Sequence, residues 1–386
     1  MRNHNPPLMF GKHQAEVRRF ALVVGVLGML ALYVLVFGNP FPSSPQSPPL
    51  VYIPPSHHLR GPLNTIWGES TKTELQIAIV TDMDQMSKVK TSKKPAWRSV
   101  LKRGTVRRFK NGNELTYEIE WNIDEHEIVG VLGEEGRGME FSELVSFQGK
   151  LLTVDDRTGV VFEITKDMKA IPRHILMEGD GNQAKGQKNE WATVKDNKLY
   201  VGSFGKEYVN SDGTIKNRWN LWVSVIDGQT GGVTHEDWTH KYEVLRQATK
   251  SSWPGYMIHE AIEFDQINRK WVVLPRRVSS LMYDEKTDEL MGSNQVLVLD
   301  EDFKVVEQHF TMGPSIPLRG WSTFKFVPGT NNDVIVAVKT EEEENKQTGE
   351  SQTRSFITVF RLSDQKELMQ QTLIPGKYKF EGLEFL

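Results

Sequence analysis

The residues best suited to chemistry are crowded into one span, EEGRGMEFSELVSFQGKLLTVDDRTG, running from Glu134 to Gly159. Arg137 stands between Gly136 and Gly138, so backbone can approach closely around a guanidinium whose planar fork suits phosphate oxygens. Ser142 and Glu143 offer hard oxygens just before an apolar run, and Leu151 to Val154 then leads into Asp155, Asp156 and Arg157. Hard oxygen donors favour calcium or magnesium over zinc. Two more acids, Asp82 and Asp84, close the apolar run that begins at Leu75, while Arg276 and Arg277 follow Val272 to Leu274 across Pro275. The chemistry implied is a metal-assisted phosphate site. The plainer alternatives are a hairpin with a solvated acidic turn and, for the arginine pair, one inward ion pair beside one solvated side chain.

Other chemistries find no support in the 386 residues. There is no cysteine, which removes disulfides and thiolate metal sites together. No strand-GxxxxGK[ST]-helix unit, HExxH or GxSxG occurs, and the ten histidines show no ligand spacing. A net charge of -3 gives no bulk attraction to nucleic acid. The basic run from Lys88 to Lys110 reads as the wet face of hairpins.

Positioning such residues falls to short strands. Leu75 to Thr81 is one, and Val106 to Trp121 alternates around the turn Asn111-Gly112-Asn113, a hairpin signal. A weak internal repeat runs through five segments in which an oxygen-bearing residue opens a strand that turns back into an apolar partner: SELVSF, EWATV, EAIEF, STFKF and EGLEF. Their leading residues, Ser142, Glu190, Glu260, Ser322 and Glu381, lie about 50 to 70 residues apart, one four-stranded blade each. The predicted fold is all-β, a five-bladed propeller. The last segment has nothing after it to complete a sheet, so the Leu75 to Asp82 strand is predicted to close the ring with it. First strands line a propeller's channel, so the five leading residues should converge there, and carboxylates gathered that closely require a cation, for which calcium is suited. The polar run from Thr340 to Arg354 reads as a long solvated hairpin loop.

Upstream, residues 20–38 are free of charge over a length of about 28 Å at helical rise, enough for a bilayer's apolar core. Basic residues precede this run, which places 1–19 in the cytoplasm, 20–38 as a membrane anchor, 39–70 as a Pro/Ser-rich stalk, and the propeller, 71–386, on the lumenal side.

RGMEFSEL and VDDRTGVVFEI, with AIVTDMD, NEWATVKDNKLYVGSFGKE, PGYMIHEA, LPRR, STFKFVP and KFEGLEFL, resemble the calcium-activated nucleotidases of the apyrase family over nearly everything after the stalk. The resemblance implies calcium ligands at Ser142, Glu143, Glu190, Glu260, Ser322 and Glu381, with the longer acid at Glu143 where relatives can carry Asp. It implies hydrolysis of nucleoside di- and triphosphates, UDP and GDP before ADP, in the Golgi or endoplasmic reticulum in support of glycosylation, or outside the cell if the stalk is cut. It also suggests a homodimer. Substrate contacts are expected from Arg137, Trp191, Arg276 and Arg277. Charge developing in transfer is expected to be met by Arg137 and Arg157. Asp82, Asp84, Asp155 and Asp156 are the candidate acids for orienting water, and the resemblance favours Asp82 and Asp156. The rival readings are a propeller that keeps calcium only for stability and binds a partner, and a calcium-propeller lactonase, in which the arginines have no evident use.

Overall fold

Runs rich in β-branched residues, such as VIVAV at 334–338 and WVVL at 271–274, pair into five four-stranded antiparallel sheets. The computed structural model describes residues 73–112, 114–344 and 351–386. The predicted cytoplasmic tail, apolar anchor and stalk at 1–19, 20–38 and 39–70 lie outside them. Among the described residues no helix is long and apolar enough to cross a membrane.

From the centre outward, blade I is Lys379–Phe385, Glu74–Asp82, Trp97–Asn111 and Glu114–Gly130. Blade II is Phe141–Phe147, Lys150–Asp155, Val160–Ile164 and Ala170–Ile175. Blade III is Trp191–Lys195, Lys198–Gly202, Trp222–Asp227 and Val233–Asp237. Blade IV is Tyr256–Asp265, Lys270–Ser279, Gln295–Asp300 and Val306–Thr311. Blade V is Arg319–Phe326, Val334–Glu344, Ser351–Arg361 and Glu367–Leu373. Each inner strand touches those of the two neighbouring blades, and the contacts return from blade V to blade I, so the ring is closed. A helix, Thr239–Thr249, follows the outer strand of blade III and buries Tyr242 and Leu245. The sequence reading did not anticipate it.

The closure is as predicted. Lys379–Phe385 pairs antiparallel with Glu74–Asp82, placing Phe385 opposite Ile77 and Leu383 opposite Ile79. Phe385 and Leu386 are both 2% exposed, despite being the last two residues. Tight turns set the inner registers: Gln148-Gly149 and Asp196-Asn197 each carry two consecutive positive φ angles, the geometry that matches strand twist in two-residue hairpins.

Five apolar clusters fill the five gaps between blades. Between III and IV, for example, Trp191, Trp238, Trp271 and Phe303 pack together, and between V and I, Val336, Ile357, Ile77 and Phe385 do so. Each such side chain contributes about 1.5–3 kcal/mol on burial.

Two expectations about charged runs resolve differently. The basic strand Trp97–Asn111 is neutralised by its neighbours, with Lys102 on Glu125, Arg98 on Glu127, and Arg107 on Glu74 and Glu120. The acidic run after Thr340 is not a solvated loop: Thr340 to Glu344 continue the strand Val334–Glu344, paired with Ser351–Arg361. Strand pairing holds because those acids meet cations. Glu341 takes Arg319 and Arg354, and Glu342 takes Arg276, Arg277 and Lys379.

Candidate functional site

One backbone irregularity recurs in every blade. The pairing of inner with second strand slips at Ser142, between the pairs Phe141↔Asp155 and Glu143↔Val154. It slips at Glu260, between His259↔Pro275 and Ala261↔Leu274, and at Ser322, between Trp321↔Lys339 and Thr323↔Val338. In blade I the slip spans Glu381, between Phe380↔Thr81 and Leu383↔Ile79. In blade III, Glu190 bonds through its N–H to the carbonyl of Gly202, which also opposes Trp191. A bulge adds one residue and re-aims its side chain. Thus the five leading residues of the sequence repeat occupy one equivalent, bulged position.

Electrostatic coupling links three of their side chains. Glu260 repels Glu190 on one side and Glu381 on the other, across three blades. Burial pushes the Glu190 carboxyl up to about 8, against the pull of Lys188, with Asp156 and Glu260 adding to the rise. Glu381 is raised well above the usual range by burial, with Glu260 and Asp82 adding to it against Lys379. Ser322 accepts from Arg276 at 2.6 Å, and the same guanidinium nitrogen donates to Glu260 at 2.7 Å and Thr340 at 2.6 Å. Ser142 Oγ and Glu381 Oε2 are buried without a hydrogen-bond partner, and Glu381 Oε1 has only Lys379 Nζ, 3.1 Å away. Hard, anionic and unsatisfied oxygens are what a calcium-sized cation takes, so the donor set fits that ion.

Glu143 is placed differently from the other expected ligands. Its carboxylate accepts from Thr323 Oγ1 at 2.9 Å and Leu144 N at 2.9 Å, with Lys325 Nζ 3.5 Å away. Burial raises it to about 8, Lys325 opposing.

Above the bulges lies a second group. Carboxylate oxygens of Asp82, Glu140 and Asp156 fall within 4.8 Å of one another, all buried. Asp82 ends the second strand of blade I and Asp156 follows that of blade II, so antiparallel pairing brings both beside the starts of the inner strands, where Glu140 sits. Each acid has a cation. Lys379 Nζ is 2.7 Å from Asp82, Arg137 grips Glu140 at 2.8 and 2.5 Å, and Lys188 donates to Asp156. The environments push these acids apart. Burial and Asp84 raise Asp82 to about 7 against Lys379, and burial raises Glu140 to about 9 against Arg137. Asp156, although buried, is held below the usual carboxylate range by Lys188 and Lys379. One of its oxygens, Oδ1, has no partner.

The same cations join this group to the bulged residues. Lys188 is 2.7 Å from Glu190, and Lys379 is 3.1 Å from Glu381 and 3.2 Å from Glu342. Asp84, half exposed, binds Arg137 at 2.7 Å from the rim.

The remaining expected residues stand apart from this centre. Asp155 accepts from the backbone N–H groups of Met139, Arg157 and Thr158, which makes it the support of the turn that presents Asp156. Arg157 turns outward to Glu134 and Glu135. Trp191 is fully buried in the apolar cluster between blades III and IV, its Nε1 donating to Ser203 O. Arg277 binds Asp288 and approaches Glu342 at 3.5 Å, so both arginines of the pair are in ion pairs.

Glu140, Lys188, Glu342 and Lys379 were missed in the sequence. A signal for three of them exists: Glu140, Lys188 and Lys379 each lie two positions before a leading residue of the repeat, hence on the same side of an extended chain.

Comparison with known proteins identifies the family. The apyrase family profile matches residues 83–386. The chain is 40% identical over 311 residues to soluble calcium-activated nucleotidase 1 of Mus musculus, covering 81% of this chain and 73% of that one. It is 38% identical over 326 residues to an apyrase of Cimex lectularius, covering 84% and 86%, and 38% identical over 316 residues to apyrase apy-1 of Caenorhabditis elegans, covering 81% and 84%. The chain belongs to the apyrase family.

Proposed function

We propose that the protein hydrolyses nucleoside diphosphates, UDP and GDP ahead of ADP, and some triphosphates, to a monophosphate and inorganic phosphate in a calcium-dependent reaction. As an apyrase it is a nucleotide-hydrolysing enzyme. The observation that carries the finer reading is the two-tier site, in which unsatisfied buried oxygens at the bulges lie beneath an acid cluster laced with Lys188, Lys379 and Arg137.

While Glu143, also expected as a ligand, directs its carboxylate to Thr323 and Lys325, Ser142, Glu190, Glu260, Ser322 and Glu381 would hold the calcium. Bound there, it supplies positive charge that screens the polyphosphate and polarises a phosphoryl oxygen. Asp156, kept ionised by two ammonium groups, orients the attacking water through its free Oδ1 and takes a proton from it. Water oxygen bonds to the terminal phosphorus as the bond to the bridging oxygen breaks, and that oxygen leaves with the monophosphate. Such transfer is loose, so placement and charge matter more than basicity. Lys188, Lys379 and Arg137 meet the charge on the phosphoryl and leaving oxygens, and Arg276 holds Glu260 and Ser322 in place. Asp82 and Glu140, raised toward and above neutrality, carry protons beside the leaving group.

The protein is further proposed to be anchored through 20–38 with the propeller in the lumen of the Golgi or endoplasmic reticulum, and to pair as a homodimer. Protease protection in sealed microsomes tests the first, and digestion of the propeller without detergent would contradict it. The function itself is tested by phosphate release from UDP with calcium and with chelator. No release in calcium, or equal release in both, would overturn the reading and favour a binding propeller.

A further inference from the structure

Three residues after each bulge the inner strands carry Val145, Thr193, Glu263, Lys325 and Glu384. Four of these are polar, and all five are buried. Thr193 Oγ1 of blade III and Lys325 Nζ of blade V both donate to Glu263 of blade IV. Lys325 Nζ also lies 3.5 Å from Glu143 of blade II, which Thr323 of blade V holds at 2.9 Å. Glu384 of blade I accepts at 2.8 Å from Ser146 N of blade II and from Phe385 N, and its charge adds to the field at both Lys325 and Glu263. Every blade thus contributes to one buried cluster, which only the region around the propeller axis can satisfy.

Glu143 and Glu263, both buried and repelling one another, need a positive charge between them. Lys325 supplies it: among the described residues no other cationic side chain forms an ion pair with Glu143 or Glu263. Lys325 is 4% exposed, and its ammonium is held charged by Glu143, Glu263 and Glu384 despite the burial that opposes it. Backbone N–H and threonine hydroxyl donors hold Glu143 and Glu263 beside the ammonium, while both oxygens of Glu384 go to Ser146 N and Phe385 N.

We propose that the channel contains two cation positions in series, an upper one at the bulges for an exchangeable metal ion and a lower one occupied permanently by the ammonium of Lys325. Lys325 leaves the row of bulges as the exchangeable position of the channel and neutralises the lower channel by a covalently tethered charge that no chelator removes. It also fixes Glu143, the neighbour of Ser142, from below. The lower position resembles a divalent site in its donors: carboxylates of Glu143 and Glu263 with hydroxyls of Thr193 and Thr323 form a hard, oxygen-only set of the kind calcium accepts.

Removing the ammonium should open that position. With Lys325→Met in the full chain, equilibrium dialysis against calcium should show bound ions rising by about one per chain over wild type, from about one to about two. The paired variant Lys325→Met/Glu263→Met, which removes an acid along with the base, should return the count to the wild-type value. An unchanged count in folded Lys325→Met, or an extra ion that survives in the paired variant, would overturn the proposal. The increment is read separately from the wild-type count, so a wild type that binds no calcium sinks the upper site and the proposed function, while a rise from none to one in the variant still supports the lower position. If Lys325→Met is unfolded in chelator, recovery of its native circular dichroism in millimolar calcium supports the proposal, and failure to recover overturns it.

Discussion

Lys188 Nζ stands 2.7 Å from Glu190 while also donating to Asp156, so one ammonium joins a bulge carboxylate to the acid cluster. Its removal should separate two quantities that usually move together. In Lys188→Met the substrate phosphate loses a charge partner, and losses of one preorganised donor commonly cost about 10²- to 10³-fold in turnover. Glu190 meanwhile loses the ammonium that competes with a metal ion, so half-maximal activation should need less calcium than in wild type. Activity against calcium concentration measures both, and a variant that needed more calcium would contradict this arrangement.

Glu260→Gln and Asp156→Asn should fail in different ways. The first keeps size and an oxygen but deletes a charge from the upper set, so the calcium requirement should rise and excess calcium should restore part of the rate. The second leaves the bulges intact, so calcium-dependent thermal stabilisation should persist while turnover falls by about 10²- to 10⁴-fold. Identical responses of the two variants to added calcium would require the roles to be redrawn.

Ending the chain after Phe380 deletes Leu383, Phe385 and Leu386, each at most 2% exposed, together with Glu381. Loss of three buried apolar side chains at about 1.5–3 kcal/mol each approaches the whole net stability of a domain, about 5–15 kcal/mol. The truncated protein should show no cooperative thermal transition near that of wild type and no calcium-dependent shift. Retention of either would show that the ring does not depend on this strand.

The ring and its closure were readable because each of SELVSF, EWATV, EAIEF, STFKF and EGLEF opens a strand on an oxygen-bearing residue, and because the last of these had no following strand to pair with. Bulges were not readable, since alternation gives the period of a strand but not its register against a neighbour. That is why Glu143, adjacent to Ser142, looked equivalent to it while its carboxylate goes to Thr323 and Lys325. Glu341 and Glu342 were misread because local acidity resembles a solvated loop, and their partners Arg319, Arg276 and Lys379 lie in other strands. Trp191 shows the converse error: a tryptophan inside a functional motif faces the core.

Away from the site, Lys339 gives the protein a pH dependence of a definite sign. It is 1% exposed, its ammonium 3.9 Å over the Trp321 ring with only Met312 O to accept from it, and burial with Arg319 nearby pushes it down to about 7. Below pH 7 both folded and unfolded chains carry the proton, and the folded state bears the cost of a buried charge. Between pH 7 and the ordinary lysine value the folded chain releases the proton first, so this residue makes stability rise with pH, by up to about 1.4 kcal/mol per unit. Lys339→Met should therefore stabilise the protein more at pH 6.5 than at pH 9 in urea titrations. Equal gains at both values would mean that the lysine titrates normally.

The pairing of Lys379–Phe385 with Glu74–Asp82 also sets a timetable for biosynthesis. The innermost strand of the first blade follows every other described strand in the sequence, so the inner edge of that blade lacks its partner until Lys379–Phe385 has been made. Glu381 arrives with that strand, and so the metal-binding set at the bulges is completed in the same event that closes the circle. A nascent chain cannot bring the five bulged residues together before Lys379–Phe385 is made and paired, which ties the proposed competence to bind the ion to that strand.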